Sequence, residues 1–185
     1  MSTRPARHAI ALAPVAALLL AAGCDHDTSA ARPAAAAPLA QDAHADLIAR
    51  GEYLVRVTGC NDCHTPRYAE QQGNVDQALW LTGSPLGYRG PWGTTYATNL
   101  RLRLADMDEA QWLAFSGSLR TRPIMPDFAL RAMSEDDRRA MFHFIKSLGP
   151  GGEPAPAYLP PGQAPQPPYF ELVMPAGAPA TVGAP

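Results

Sequence analysis

Apolar residues along the chain gather first into one nearly continuous block and then into spaced stripes. Ala9 to Ala22 is an apolar run of 14 residues interrupted only by Pro14. From Asp46 to Thr58, Leu47, Tyr53, Leu54 and Val57 recur with a helical rhythm and predict a helix. A second helix is predicted from Asp106, where Glu109 three residues on gives capping-box spacing, to about Leu119. Trp112, Phe115 and Leu119 share one of its faces. A third opens at Ser134, with Asp137 three residues on, and runs to Leu148. Met141, Phe144, Ile145 and Leu148 form its apolar stripe, and Gly149 ends it. The glycine-rich LTGSPLGYRGPWGTTYATNL between the first two helices reads as loop, and no alternation is strong enough to build a sheet. The predicted fold class is all-α.

The same pattern divides the chain. Residues 46–148 are the folded domain. Residues 149–185 hold 11 of the 20 prolines and cannot supply the N–H groups that helices or a sheet need. Tyr169, Phe170, Leu172, Val173 and Met174 nevertheless form an apolar knot there. The tail is expected to be extended and partly laid against the domain, with full disorder as the competing view. Residues 24–45, rich in alanine and proline without periodicity, read as a tether, of which the stretch after Cys24 spans ~25 Å as a coil.

Composition adds little until the N-terminus is considered. The 15 basic and 17 acidic residues give a net charge of −2, with no basic block to neutralise a row of phosphates. Nucleic acid is not an expected partner. Arg4, Arg7 and His8 precede the apolar run, which is shorter than the ~20 residues a spanning helix needs. Residues 1–23 therefore read as a cleaved export signal. Leu20-Ala21-Ala22-Gly23-Cys24 resembles the lipobox of bacterial lipoproteins, although Ala21 stands where leucine is commonest. That resemblance implies lipidation of Cys24, and Asp25 after it resembles a signal for retention at the inner membrane. An ordinary signal followed by a chance cysteine is the alternative. Cleavage before Cys24 removes two arginines and leaves 13 bases against 17 acids, a charge of −4.

Chemistry concentrates in Thr58-Gly-Cys-Asn-Asp-Cys-His-Thr-Pro66. C-x-x-C-H is the haem c attachment signature. Each thiol, Cys60 and Cys63, adds across one haem vinyl, and the turn between them carries His64 to the iron as proximal ligand. A zinc site would need further cysteines or histidines at similar spacing, and no other cysteine lies outside the signal region. A thioredoxin-like pair would need a βαβ context. A disulfide between the two thiols leaves His64 unexplained.

Candidates for the sixth iron ligand are Met107, Met125, Met133, Met141, Met174 and His143. Met141 falls on the helical stripe, and His143 falls off it towards the surface. Met125 lies in Arg122-Pro123-Ile124-Met125-Pro126, where prolines on either side stiffen the loop, as a metal-holding thioether requires. A gap-filling methionine is the bland alternative. Histidine–methionine ligation raises the iron's reduction potential and leaves no position for a substrate.

The helix ARGEYLVRVTGC entering CNDCH, the RPIMP loop and the closing helix SEDDRRAMFHFIKSL resemble a class I cytochrome c. They are similar in particular to the small bacterial cytochromes that accompany membrane-linked dehydrogenases. The resemblance covers residues 46–148 and implies one covalent haem c inside an all-helical wrap. It also implies a crossing of first and last helices at Gly51 and Phe144, with Tyr53 alongside. It departs after Tyr96-Ala97-Thr98-Asn99-Leu100, where Arg101-Leu102-Arg103 replaces a Thr-Pro-Asp turn. One or two of Arg101, Arg103, Arg120 and Arg122, or Trp92, Tyr96 or Asn99, are candidates to bond the haem propionates. For each residue taken singly a solvated basic edge is the favoured alternative, and the arginines together could form a docking rim for an acidic partner. The implied function is a periplasmic electron carrier, not an enzyme, lipid-anchored at the inner membrane. Its redox partners would be a dehydrogenase as donor and a cytochrome or terminal oxidase as acceptor. A haem-based sensor or peroxidase-like enzyme with a labile sixth ligand is the alternative.

Overall fold

A computed structural model describes residues 36–173 and 175–177; Cys24, the signal and Met174 lie outside the described residues. Within them, α1 (Ala36–Val57) leads into the short α2 (Cys60–His64), followed by a 3-10 turn at Gln77–Leu79. A hairpin of β1 (Gly87–Gly90) and β2 (Gly93–Tyr96) precedes α3 (Leu100–Ala105), α4 (Glu109–Ser118), α5 (Asp127–Ala132) and α6 (Glu135–Ser147). The tail contributes β3 (Tyr169–Glu171).

α1 begins ten residues before Asp46, so the alanine-rich segment expected to be coil is helical from Ala36. Pro38 sits in the first turn, where N–H groups have no intrahelical acceptor and a missing one costs nothing. The alanines around it are the best helix formers. The inward face also differs from the expected rhythm. Leu54 and Val55 are buried, whereas Tyr53 and Val57 face solvent.

α6 crosses α1 through its apolar stripe. Ala140, Met141, Phe144 and Ile145 are all buried, and Gly51 lies directly beneath Ala140 and Phe144. Ser134 caps α6 by accepting the Asp137 N–H, 3.1 Å away. The Arg50 guanidinium closes the crossing on the Asp137 carboxylate at 2.8 Å and holds that carboxyl below its usual range. At the far end of α6, Lys146 Nζ donates to the carbonyls of Leu104 (3.1 Å) and Ala105 (2.8 Å), satisfying the C-terminus of α3.

The middle of the chain departs from the all-helical expectation. The second helix starts at Glu109, with Asp108 and Gln111 as its capping box, because Asp106 already closes α3. α3 itself occupies the segment where the resemblance breaks off. Arg101 on it is buried and donates to the carbonyls of Gly149 (2.6 Å), Ala78 (2.7 Å) and Leu148 (2.5 Å). The glycine-rich stretch is a hairpin as well as loop, with Gly87 opposite Tyr96 and Gly90 opposite Gly93. β3 adds parallel to β1, giving the order β2-β1-β3. Four-residue strands carry too little alternation to be read from sequence, and β3 is recruited from distant tail residues.

Candidate functional site

α2 is the first part of the site. Gly59 precedes it in the left-handed region (φ 75°), a turn that lets the chain leave α1 and re-enter a helix at Cys60. One helical turn separates Cys60 from Cys63, so both thiols reach the same cavity, and the two are not joined in a disulfide. Burial pushes the Cys60 thiol up from its ordinary value, with Thr58 Oγ1 3.3 Å from its sulfur. The Tyr88 hydroxyl on β1 lies 3.6 Å from Cys63 Sγ, and burial raises the tyrosine's pKa as well.

His64 is buried and fixed in one tautomer. Its Nδ1 lies 2.8 Å from the Thr98 carbonyl, which can only accept, so Nδ1 carries the proton and Nε2 keeps its lone pair. Burial lowers its pKa, which favours the neutral, ligating form. Beneath it, Asn61 Oδ1 accepts from the Thr65 hydroxyl (2.8 Å), and Thr65 Oγ1 accepts from the Leu81 N–H (2.8 Å). The turn that carries the histidine is thus tied to the loop behind it.

Facing α2 is the segment Thr121–Asp127. The Asp127 N–H donates to the Met125 carbonyl (2.9 Å), and the Thr121 N–H donates to Asp127 Oδ2 (2.5 Å). Arg131 pairs with the Asp127 carboxylate and reaches the Leu119 carbonyl at 2.6 Å. Burial alone would raise the Asp127 carboxyl, but these donors hold it below its usual range. On the other side of the loop, Thr95 Oγ1 donates to the Pro123 carbonyl at 2.7 Å. Met125 is therefore held by hydrogen bonds both before and after it in the chain.

Cys60, Cys63, His64 and Met125 all line one cavity of about 540 Å³. Val55, Leu100, Trp112, Phe115, Leu130 and Ile145 supply much of its apolar wall. The donor set fits a covalently held haem: two thiols one turn apart, an imidazole with a free Nε2, and a thioether, in an apolar chamber. Of the other methionine candidates, Met141 also lines the cavity but is anchored in the α6 core stripe. Met107 and Met133 are not on its wall. His143 is not on it either, and its Nε2 pairs with Glu109 at 2.9 Å.

The proposed propionate partners separate cleanly. Arg103, Arg120, Arg122 and Tyr96 stand on the cavity wall. Arg101, Trp92 and Asn99 do not, and their donors go to backbone carbonyls. Arg101 is neither on the solvated basic edge nor a propionate partner: it is buried, and its donors are met by backbone carbonyls. Sequence reasoning missed Tyr88, Thr95, Thr98 and Tyr158, because a backbone carbonyl or a lone hydroxyl leaves no motif.

Comparison with known proteins agrees with this geometry. The family model Cytochrome c matches residues 48–149. The chain is similar to the alcohol dehydrogenase (quinone), cytochrome c subunit of Gluconobacter oxydans (strain 621H), with 31% identity over 117 residues. That match covers 57% of this chain and 22% of the relative, so the chain spans under a quarter of that protein's length. No solved structure matches at a comparable level. With more than half its length matched by the family model, the chain belongs to the cytochrome c family, and its haem c is attached covalently through Cys60 and Cys63.

Proposed function

We propose that this cytochrome is a single-haem electron carrier of the periplasm, with His64 and Met125 as the residues that would hold the iron. The observation that carries this reading is the meeting of both thiols, the imidazole and the Met125 loop on one apolar cavity wall. Haem c supplies a one-electron ferric/ferrous couple. The chain's own residues do the rest. His64 offers Nε2 because Thr98 holds Nδ1, and Met125 offers its thioether from a pinned loop. The apolar side chains would keep water from a bound haem, and Arg103, Arg120 and Arg122 on the same wall would offer positive charge to its anionic propionates. An iron held by His64 and Met125 from these preformed elements would need little rearrangement when its charge changes, which suits transfer and not catalysis.

The expected result is one electron per chain in a redox titration, together with a reduced protein whose spectrum carbon monoxide leaves unchanged. Rapid and complete carbon monoxide binding at neutral pH would overturn the carrier reading in favour of a small-ligand sensor.

The donor is read as a dehydrogenase, because the relative is named as the cytochrome c subunit of one. The acceptor is a downstream cytochrome or a terminal oxidase. Among the described residues no helix is long and apolar enough to cross a membrane. Anchoring is assigned to lipid on Cys24, which holds the domain at the periplasmic face of the inner membrane. Two or more acyl chains give a stable anchor, where one binds only marginally. Cys24→Ser should move the protein from the membrane to the soluble fraction; a variant that stays in the membrane rules lipid on Cys24 out.

A further inference from the structure

The proline-rich tail forms part of the cavity. Pro156 and Tyr158 stand on its wall together with Arg122, Ile124 and Met125. The tail backbone is fixed here by a reciprocal pair of hydrogen bonds between Thr94 and Leu159, at 2.8 and 3.0 Å. Gly93, at φ 96°, makes room for it: a Cβ there would collide with the Leu159 carbonyl and lie 3.0 Å from the Tyr158 ring. The Tyr158 hydroxyl donates to the Trp92 carbonyl at 2.8 Å. Its ring in turn lies beneath the Arg122 guanidinium, whose carbon is 4.0 Å from the ring centre.

Arg122 stands three residues before Met125, and Pro123 between them limits how far one moves without the other. The two ends of the loop, Thr121 and Asp127, are tied to each other and to Arg131. Between Thr121 and Met125, Thr95 holds the Pro123 carbonyl and the Tyr158 ring lies beneath Arg122. Swinging the thioether out of the cavity would carry Arg122 off the ring. We propose that Tyr158 is a positioning residue for Met125: through Arg122 it keeps the ligand loop closed, which makes the tail a working part of the haem site.

This inference rests on the reading of Met125 as iron ligand, and the test separates the two. The full-length ferric protein is mixed with imidazole, and its binding rate is followed alongside the sulfur-to-iron charge-transfer absorption. Tyr158→Ala should bind imidazole roughly tenfold faster, the size expected for losing a cation–π contact and one hydrogen bond. Arg122→Gln, a change that leaves the tail's own contacts in place, should accelerate binding roughly fivefold. Tyr158→Phe keeps the ring and should stay within about twofold of the parent. A parent protein without the sulfur-to-iron band sinks the Met125 reading, and this inference with it. A parent that shows the band and loses it in Met125→Ala, with Tyr158→Ala and Arg122→Gln both binding imidazole at the parental rate, overturns this inference alone.

Discussion

Gly51→Ala is expected to destabilise the protein by about 3 kcal/mol or more, even though alanine is the better helix former. On an isolated helix the change would gain ~1 kcal/mol. Here the new methyl would overlap the Ala140 carbonyl and stand 2.6 Å from Phe144 Cβ. Neither neighbour is the free end of a flexible side chain. One is backbone and the other is the root of a buried ring, so relief requires α6 to move away from α1. That movement would carry Met141, Phe144 and Ile145 with it, and Met141 and Ile145 also form the cavity wall. Thermal unfolding of the haem-bound protein should show a midpoint lower by roughly 10 °C or more. A midpoint within a few degrees of the parent would mean that the helices re-pack at little cost and that close approach is not what Gly51 provides.

How much of this was legible beforehand depended on the length and periodicity of each signal. α6 is visible because thirteen residues carry a full stripe and a serine cap, and its position came out within a residue at each end. α4 was found but opened too early, because Asp106 and Asp108 both have an acceptor-type residue three positions on and sequence alone does not choose between them. The hairpin and β3 were missed for a physical reason. Strand pairing here is a long-range event between short segments, and most of the information lies in which glycines let the backbones meet.

The site divides along the same line. Cys60, Cys63 and His64 form a local pattern in which covalent chemistry dictates spacing, so the sequence states it openly. Met125 was readable only through the prolines beside it, and Met141 shares the cavity wall. Residues that act through a backbone carbonyl or a ring face, such as Thr98 on His64 and Tyr158 under Arg122, have no sequence signature. Arg101 shows the converse error. It resembled its basic neighbours in sequence, yet burial makes it a brace for the chain behind α6.

Met125→Ala is expected to lower the midpoint potential by on the order of 0.2 V, about a quarter of the ~0.8 V range that axial ligands set. The direction follows from what the thioether would do as a ligand: neutral and soft, it would favour the ferrous iron, and its loss would stabilise the ferric state. The cavity should otherwise persist. Asp127 and Arg131 hold the loop at the Thr121 N–H and the Leu119 carbonyl and not through the Met125 side chain, and Thr95 bonds the Pro123 carbonyl. The variant should therefore keep its covalent haem, lose the sulfur-to-iron band and bind carbon monoxide in the reduced state. Met141→Leu is the control, because Met141 is the other methionine on the wall among the described residues, and leucine preserves its volume. If Met141 is only core, that variant keeps the parental potential to within a few tens of millivolts, on the order of what packing changes near a haem produce. Should the two results be exchanged, with the potential following Met141, the ligand is the helical methionine and the proline-bounded loop has a different task.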